Sequence, residues 1–240
     1  MVFDPLVSHG TKKAVGLLSG GLDSSVAILS AQRYDMDVVL ALTVDYGQPA
    51  ARQEIARAQH FCRTFEIAHE SVSLPLYPQG MSQILFDNKT LPQPRLADLS
   101  NPSFTRNSAR AVWVPNRNGL LIEYAAARAE VLGAQAVVVG FNREEAETFP
   151  DNSIEYLSAI THALSFSTRN QVSVWSPTAG FSKMEIVEKA IEEGLPFDTL
   201  WSCYRDGEKM CGRCESCMRL KRALGLNKVS KNELFIDASL

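Results

Sequence analysis

Nothing in the sequence approaches the run of about 18 apolar residues that a membrane-spanning helix needs. The start, MVFDPLVSHGTKK, lacks a basic stretch followed by an apolar one. Membrane insertion and secretion are therefore not expected, and a cytoplasmic location is. Charge of one sign is scarce: 24 Lys and Arg against 27 Asp and Glu leave a formal charge of −3. That balance argues against a broad nucleic-acid footprint and leaves room for a small anion in a locally positive site. There are no heptads, no repeats and no low-complexity tract. Histidine is sparse, and His9, His60, His69 and His162 show no ligand spacing. Cysteine is nearly absent outside one cluster; the exception, Cys62, lies in an apolar helical pattern and reads as core.

The 45% apolar and 21% charged residues of this 240-residue chain are ordinary for a globular protein. That length suits one domain, or one domain with a small appendage. Lys13–Leu18 is a short apolar run ending in Ser-Gly-Gly, and residues 22–34 read as a helix. A second apolar run, from Val38 to Asp45, precedes the helical stretch ARQEIARAQHFCRTF. SVSLPL is a candidate third strand. Prolines 78, 92, 94, 102 and 115 then mark a long irregular excursion over residues 77–115, of the kind that often forms functional lids. Helix returns with GLLIEYAAARAEVLGA, strand with AVVVGF, helix over residues 155–166, strand with VSVWSPT, and an amphipathic helix over residues 183–194. Continuous apolar strands alternating with helices predict an α/β fold: a parallel, twisted sheet with helices on both faces.

The chemistry-bearing motif is Ser19-Gly20-Gly21-Leu22-Asp23-Ser24-Ser25, between the first strand and the first helix. Adjacent glycines let backbone approach a ligand closely. The free N–H groups of a helix start attract anions. Taken singly, Ser and Asp are ordinary helix starters; together, in a strand–turn–helix context, they read as a phosphate turn. It is not a Walker loop, since no Gly-Lys-Ser/Thr is present. Asp23 would repel a phosphate unless it held a turn amide or a magnesium ion.

The turn SGGLDSS resembles the pyrophosphate loop of the N-type ATP pyrophosphatases. These include GMP, NAD, asparagine and argininosuccinate synthetases and tRNA-thiolating enzymes. Asp45-Tyr46-Gly47-Gln48 with Glu54 beyond it, Val114-Pro115-Asn116-Arg117-Asn118, Ser176-Pro177-Thr178 with Ser182-Lys183, and Ser202-Cys203-Tyr204 follow in order. Together they resemble the 7-cyano-7-deazaguanine synthase family over residues 13–225. One stretch departs from the commonest bacterial pattern of that family: GFNREEAETFPDNS keeps only Pro150-Asp151 of an expected Tyr-Ser-Gly-Tyr-Pro-Asp.

The resemblance implies ATP-dependent conversion of 7-carboxy-7-deazaguanine and ammonia to the nitrile, through adenylated carboxylate and amide, with two Mg-ATP consumed. It implies ATP binding at Leu17, Leu18, Ser19, Gly20, Gly21, Leu22, Asp23, Ser24 and Ser25. Asp45, Tyr46, Gln48, Asn118 and Asp151 are the expected substrate contacts. Asp23, Arg117 and Lys183 are the expected catalytic residues, the two cations stabilising charge that builds on the phosphates. Arg117→Ala and Lys183→Ala are expected to lose about a hundredfold in kcat/KM while melting near the wild type. No direct nucleic-acid partner is expected, and a homo-oligomer, a dimer, is.

Cys203, Cys211, Cys214 and Cys217 fall within fifteen residues. In a reducing compartment such a cluster reads as a metal site before disulfides. Four thiolates match a closed tetrahedral zinc site; Cys-x2-Cys-x2-Cys also suits iron–sulfur ligation. One structural zinc per chain is the expectation. It divides the chain into an ATP pyrophosphatase domain, residues 1–200, and a metal-binding segment with its tail, residues 201–240. Cys214→Ser is then expected to lower stability more than the turnover of the molecules that stay folded. Another ATP pyrophosphatase, such as a tRNA-thiolating enzyme, is the alternative. A zinc-ribbon nucleic-acid binder is a further alternative that leaves the glycine turn unexplained.

Overall fold

The computed structural model describes residues 11–77, 91–231 and 233–237. Five strands form one parallel sheet: β1 (Lys12–Leu17), β2 (Met36–Asp45), β3 (His69–Ser73), β4 (Ala136–Val138) and β5 (Ser173–Trp175). Their spatial order is β3-β2-β1-β4-β5. The order reverses at β1, so β1 and β4 are neighbours although some 120 residues separate them in sequence. Open α/β sheets bind ligands at the carboxyl ends of the strands beside such a switch point.

Alternation along the strands sends side chains to two cores. Val15, Leu42, Val44, Val137 and Val174 face α4 (Arg117–Val131) and α6 (Ile154–Ser167) through Ile122, Ala125, Ala129, Leu157, Ile160 and Leu164. Ala14, Val38, Ala41, Ala136 and Val138 face α1 (Leu22–Arg33), α2 (Ala51–Thr64) and α7 (Lys183–Glu192). Both sheet faces are covered, which is why the strands read as continuous apolar runs.

Three helices lie where the sequence reading has only irregular chain. α3 (Pro102–Ala111) falls inside the expected excursion, after a 3-10 turn over Leu96–Ser100. Residues 78–90 of that excursion lie outside the described residues. α8 (Glu215–Leu226) starts directly after its N-cap, Cys214, and carries Cys217 in its first turn, and a one-turn helix, α5 (Arg143–Ala146), opens the divergent segment. The cysteine segment and tail share the core of α1 and α7: Leu200, Trp201, Met210, Leu220, Leu224 and Phe235 pack in the same cluster as Val26 and Ile186. Lys221, almost fully buried, fastens the tail by donating to the carbonyls of Gly212 (3.0 Å) and Asp237 (3.1 Å). Among the described residues no helix is long and apolar enough to cross a membrane.

Candidate active site

A cavity of about 300 Å³ opens at the carboxyl ends of β1, β2 and β4. The glycine turn forms its floor. Gly20 takes φ +69°, where a side chain would be strained, and a Cβ there would lie 2.8 Å from the Glu54 carbonyl oxygen. The conformational demand therefore falls on Gly20 and not on both glycines. Gly21 has an ordinary φ of −86° and contributes by leaving room at the cavity wall. Its carbonyl accepts from the hydroxyl of Ser25 (2.8 Å), and the Ser19 amide donates to Ser24 Oγ (3.2 Å). With Gly21 as the N-cap, the first-turn amides of α1 have no intrahelical acceptors, the arrangement that favours an anion at a helix start.

Of the expected ATP-binding residues, Leu17, Leu18, Ser19, Gly21, Leu22, Asp23 and Ser24 line the cavity. Gly20 and Ser25 lie behind it and shape the turn. Gly140, just past β4, packs against the turn's far side. A Cβ there would sit 2.5 Å from Ser24 Cα and 2.6 Å from the Asp23 carbonyl carbon. We predict that Gly140→Ala displaces the turn and lowers ATP affinity at least tenfold in isothermal titration; unchanged affinity would refute this packing constraint.

Lys183 and Arg117 both reach this cavity, from the starts of α7 and α4. Ser182 caps α7, its hydroxyl accepting from the Glu185 amide while the Glu185 carboxylate takes the Ser182 amide (2.7 Å). That capping box fixes where Lys183 leaves the helix. Its ammonium lies between Asp23 Oδ2 and Glu145 Oε1 (3.2 Å). Burial works against the charge, but the two carboxylates more than offset it and hold the ammonium above its usual range. Burial pushes Asp23 up to about 6 against the pull of Lys183, whereas Glu145 is lowered by Lys183 and Asn142. Asp23 thus holds an ammonium, not a turn amide. Its Oδ1 is buried and has no hydrogen-bond partner.

Arg117 follows Asn116, whose left-handed φ of 52° turns the chain into α4. Its guanidinium donates to Asn118 Oδ1 (3.2 and 3.1 Å) and to the Tyr46 hydroxyl, with Asp151 nearby. Tyr46, Gln48 and Asn118 line the cavity; Asp45 and Asp151 do not. Asp45 accepts from the Gly47 amide (2.9 Å) and fixes the turn after β2. Asp151 presents its carbonyl to Asn118 Nδ2 (3.3 Å) and its carboxylate to Asn152 (3.3 Å).

Several wall residues have no place in the sequence-based site: Glu54, Glu145, Phe149, Tyr204, Glu215 and Arg219. Arg219 grips Glu215 with two bonds (3.0 and 2.7 Å), and the Ser108 hydroxyl on α3 donates to Glu215. Glu144 accepts from the Lys183 amide (2.9 Å) with one oxygen and meets Arg219 (3.4 Å) and Arg222 (2.5 Å) with the other. The divergent segment thereby links α7 to α8. The signal available in sequence was Asn142, whose side chain caps α5 by accepting from Glu145 (2.9 Å).

Cys203, Cys211, Cys214 and Cys217 bring four sulfurs within 4.8 Å of one another, and all four thiols are free of disulfides. A single tetrahedral ion with sulfurs at about 2.3 Å separates them by about 3.8 Å; Cys211 and Cys217 are 3.9 Å apart. This cluster is next to the cavity, which Trp201, Ser202 and Cys203 line. The Trp201 amide donates to the Gly20 carbonyl (2.8 Å), tying the cysteine segment directly to the glycine turn.

Residues 13–229 match the family model described as queuosine biosynthesis protein QueC. A protein of Desulforudis audaxviator named 7-cyano-7-deazaguanine synthase is 46% identical over 88% of this chain and 96% of its own length. One of the same name from Bdellovibrio bacteriovorus is 42% identical over 93% and 97%. One from Methanosarcina mazei is 44% identical over 88% and 93%. Among solved structures, the U34-tRNA thiolase NcsA of Methanococcus maripaludis, which carries a [4Fe-4S] cluster, superposes with a TM-score of 0.54 at 16% identity. That match covers 94% of this chain and 70% of that one, and it supports the fold alone. The glycine turn at the sheet's switch point, Lys183 and Arg117 in one cavity and the four-sulfur cluster thus stand in a chain that belongs to the QueC family of 7-cyano-7-deazaguanine synthases.

Proposed function

We propose that the chain converts 7-carboxy-7-deazaguanine and ammonia into 7-cyano-7-deazaguanine, splitting ATP to AMP and pyrophosphate in each of two activation steps. The observation that carries this reading is the meeting of an anion-binding helix start with Lys183 and Arg117 in one cavity. A carboxylate resists attack by ammonia because oxide does not leave. Transfer of AMP to that oxygen makes a good leaving group and gathers negative charge on the α-phosphate and the departing pyrophosphate. The α1 amides and Lys183 are placed to hold that charge, and such preorganised donors dominate catalysis of this type. Magnesium arrives with ATP; the unpartnered Asp23 Oδ1 and the neighbouring Glu145 suit it.

Arg117, with Tyr46 and Asn118 bound to it, is our choice for the substrate side. Asp45 and Asp151 act there by shaping the wall. We assign the four cysteines to zinc: an iron–sulfur cubane places several atoms between its ligand sulfurs and spreads them wider than 4.8 Å. Residues 1–200 then carry the ATP chemistry and residues 201–240 the metal. The test is incubation with ATP, magnesium, ammonium and the carboxylate. AMP and pyrophosphate should appear only when the carboxylate is present, with nitrile identified by mass spectrometry at two AMP per product. Carboxylate-dependent release of ADP and phosphate would overturn the reading.

A further inference from the structure

Glu54 stands in the cavity wall with no role in the adenylation just described. Its placement is unusual in one respect: it is held by a side chain that can do nothing else. Gln48 is buried, its Oε1 accepts from the Tyr46 amide (2.8 Å), and its two Nε2 protons go to the Val44 carbonyl (3.0 Å) and Glu54 Oε2 (2.8 Å). An amide has two N–H donors, so none is left for a substrate. Gln48 is a positioning residue, and what it positions is the Glu54 carboxylate. The other oxygen, Oε1, meets no hydrogen-bond donor among the described residues. α2 thus presents a fixed carboxylate with one oxygen committed and one open.

We infer that Glu54 is the proton acceptor for the nitrogen chemistry in this cavity, oriented by Gln48. The inference rests on the proposed nitrile synthesis, which must release three protons from nitrogen. In the first step ammonia attacks the adenylated carbon. A C–N bond forms, the C–O bond to AMP breaks, AMP leaves with the electron pair, and an N–H proton passes to Glu54 Oε1. The amide oxygen then takes AMP from a second ATP, releasing pyrophosphate, and a second N–H proton passes to Glu54, leaving a neutral imidate with one N–H. In the last step the remaining N–H proton of the adenylated imidate passes to Glu54 as the C≡N bond forms and AMP departs. After each step Glu54 returns its proton to water.

The surroundings suit this work. Burial pushes the Glu54 carboxyl up to about 7, against the Gln48 hydrogen bond and Arg117, which favour its charge, and with Asp45, which opposes it. The groups facing it are therefore Asp45 and Tyr46 from the end of β2 and Arg117 from α4. A general base works best with a pKa near the operating pH.

The test separates adenylation from the steps that move protons. Carboxylate-dependent exchange of labelled pyrophosphate into ATP reports adenylation alone; nitrile formation reports the whole sequence. Glu54→Gln, which keeps the shape and an acceptor for Gln48, should lower nitrile formation about a hundredfold and exchange by less than tenfold. In the wild type kcat/KM should fall as pH drops through about 7; Glu54→Gln should lack that limb. Gln48→Ala should move it to higher pH, because the hydrogen bond that favours the carboxylate is gone.

A folding readout accompanies this. With its folded pKa raised from 4.5 to about 7, Glu54 contributes stability that is full below about 4.5 and lost as pH rises through about 7. Glu54→Gln should flatten the melting temperature across that window. If Glu54→Gln loses exchange as severely as nitrile formation, Glu54 binds substrate or supports the fold, and the inference falls. Full nitrile formation by Glu54→Gln also overturns it. Absence of exchange in the wild type would instead sink the proposed function itself, and this inference with it.

Discussion

Lys183→Met should lose at least a hundredfold in kcat/KM and also melt well below the wild type. The catalytic part follows from removing a preorganised cation, about 3 kcal/mol in the transition state. The stability part departs from the sequence-based expectation of near-wild-type melting, and the structure supplies the reason. Lys183 is not a solvated side chain at a helix start: its side chain is 9% exposed and neutralises two carboxylates, Asp23 and Glu145. Removing one partner of a buried ion pair typically costs about 3–5 kcal/mol, because the remaining charge is left uncompensated.

The pH dependence has a definite sign. Without the ammonium, Asp23 and Glu145 repel each other in a buried place, so their folded pKa values rise above the unfolded ones. Stability from such groups is present at low pH and is lost as pH rises through the folded pKa. Asp23 already titrates near 6 with Lys183 beside it. The melting-temperature gap between Lys183→Met and wild type should therefore be widest at pH 8 and narrow towards pH 5. Differential scanning calorimetry across that range checks it. A variant that melts like the wild type at pH 8 and still turns over normally would remove Lys183 from the site.

How much of this was legible in sequence differs from element to element. The turn and its strand–helix context were readable because local chemistry fixes them: glycines, a helix start and an apolar run lie within a few residues. α3 was missed although its signals were present, with Asn101 accepting from the Ser103 and Phe104 amides and Pro102 in the first helical position. Scattered prolines outweighed them, and Pro102 was read as a breaker where it is a starter. α8 is masked in sequence because Cys214 and Cys217 stand at metal-ligand spacing where its apolar stripe, Met218, Leu220 and Leu224, begins.

The acidic wall was illegible for another reason. Glu144 and Glu145 acquire meaning only through Lys183, Arg219 and Arg222, dozens of residues away. No period or spacing encodes such pairings; they depend on the order in which strands join the sheet. Gln48 shows the converse case. The family resemblance implies a substrate contact for it, and its three hydrogen bonds run to the Tyr46 amide, the Val44 carbonyl and Glu54.

Removal of the metal should abolish activity and not merely loosen the tail. A segment pinned by four thiolates at one end of the chain would lose stability first and turnover little. The observed packing makes these inseparable. Trp201 holds the Gly20 carbonyl, and Gln53 on α2 donates to the Gly207 carbonyl (2.5 Å). The cysteine segment thus braces both the phosphate turn and the helix that carries Glu54, and it supplies Tyr204 and Arg219 to the cavity wall. A structural zinc site of this kind contributes about 10 kcal/mol or more to folding, comparable with the whole stability of a typical domain. Without the ion, four clustered thiolates have no cation to balance their charge and must take up protons. Metal analysis of pure protein should give one zinc per chain and little iron. On slow chelation, nitrile formation should decline in step with zinc released, together with a change in tryptophan fluorescence from Trp201 as it leaves Gly20. Cys214→Ser should show the same joint loss, so the molecules that remain folded should also turn over more slowly. Full turnover by zinc-free protein would show that the segment is a dispensable appendage; visible-range absorption with stoichiometric iron would replace zinc with a cluster.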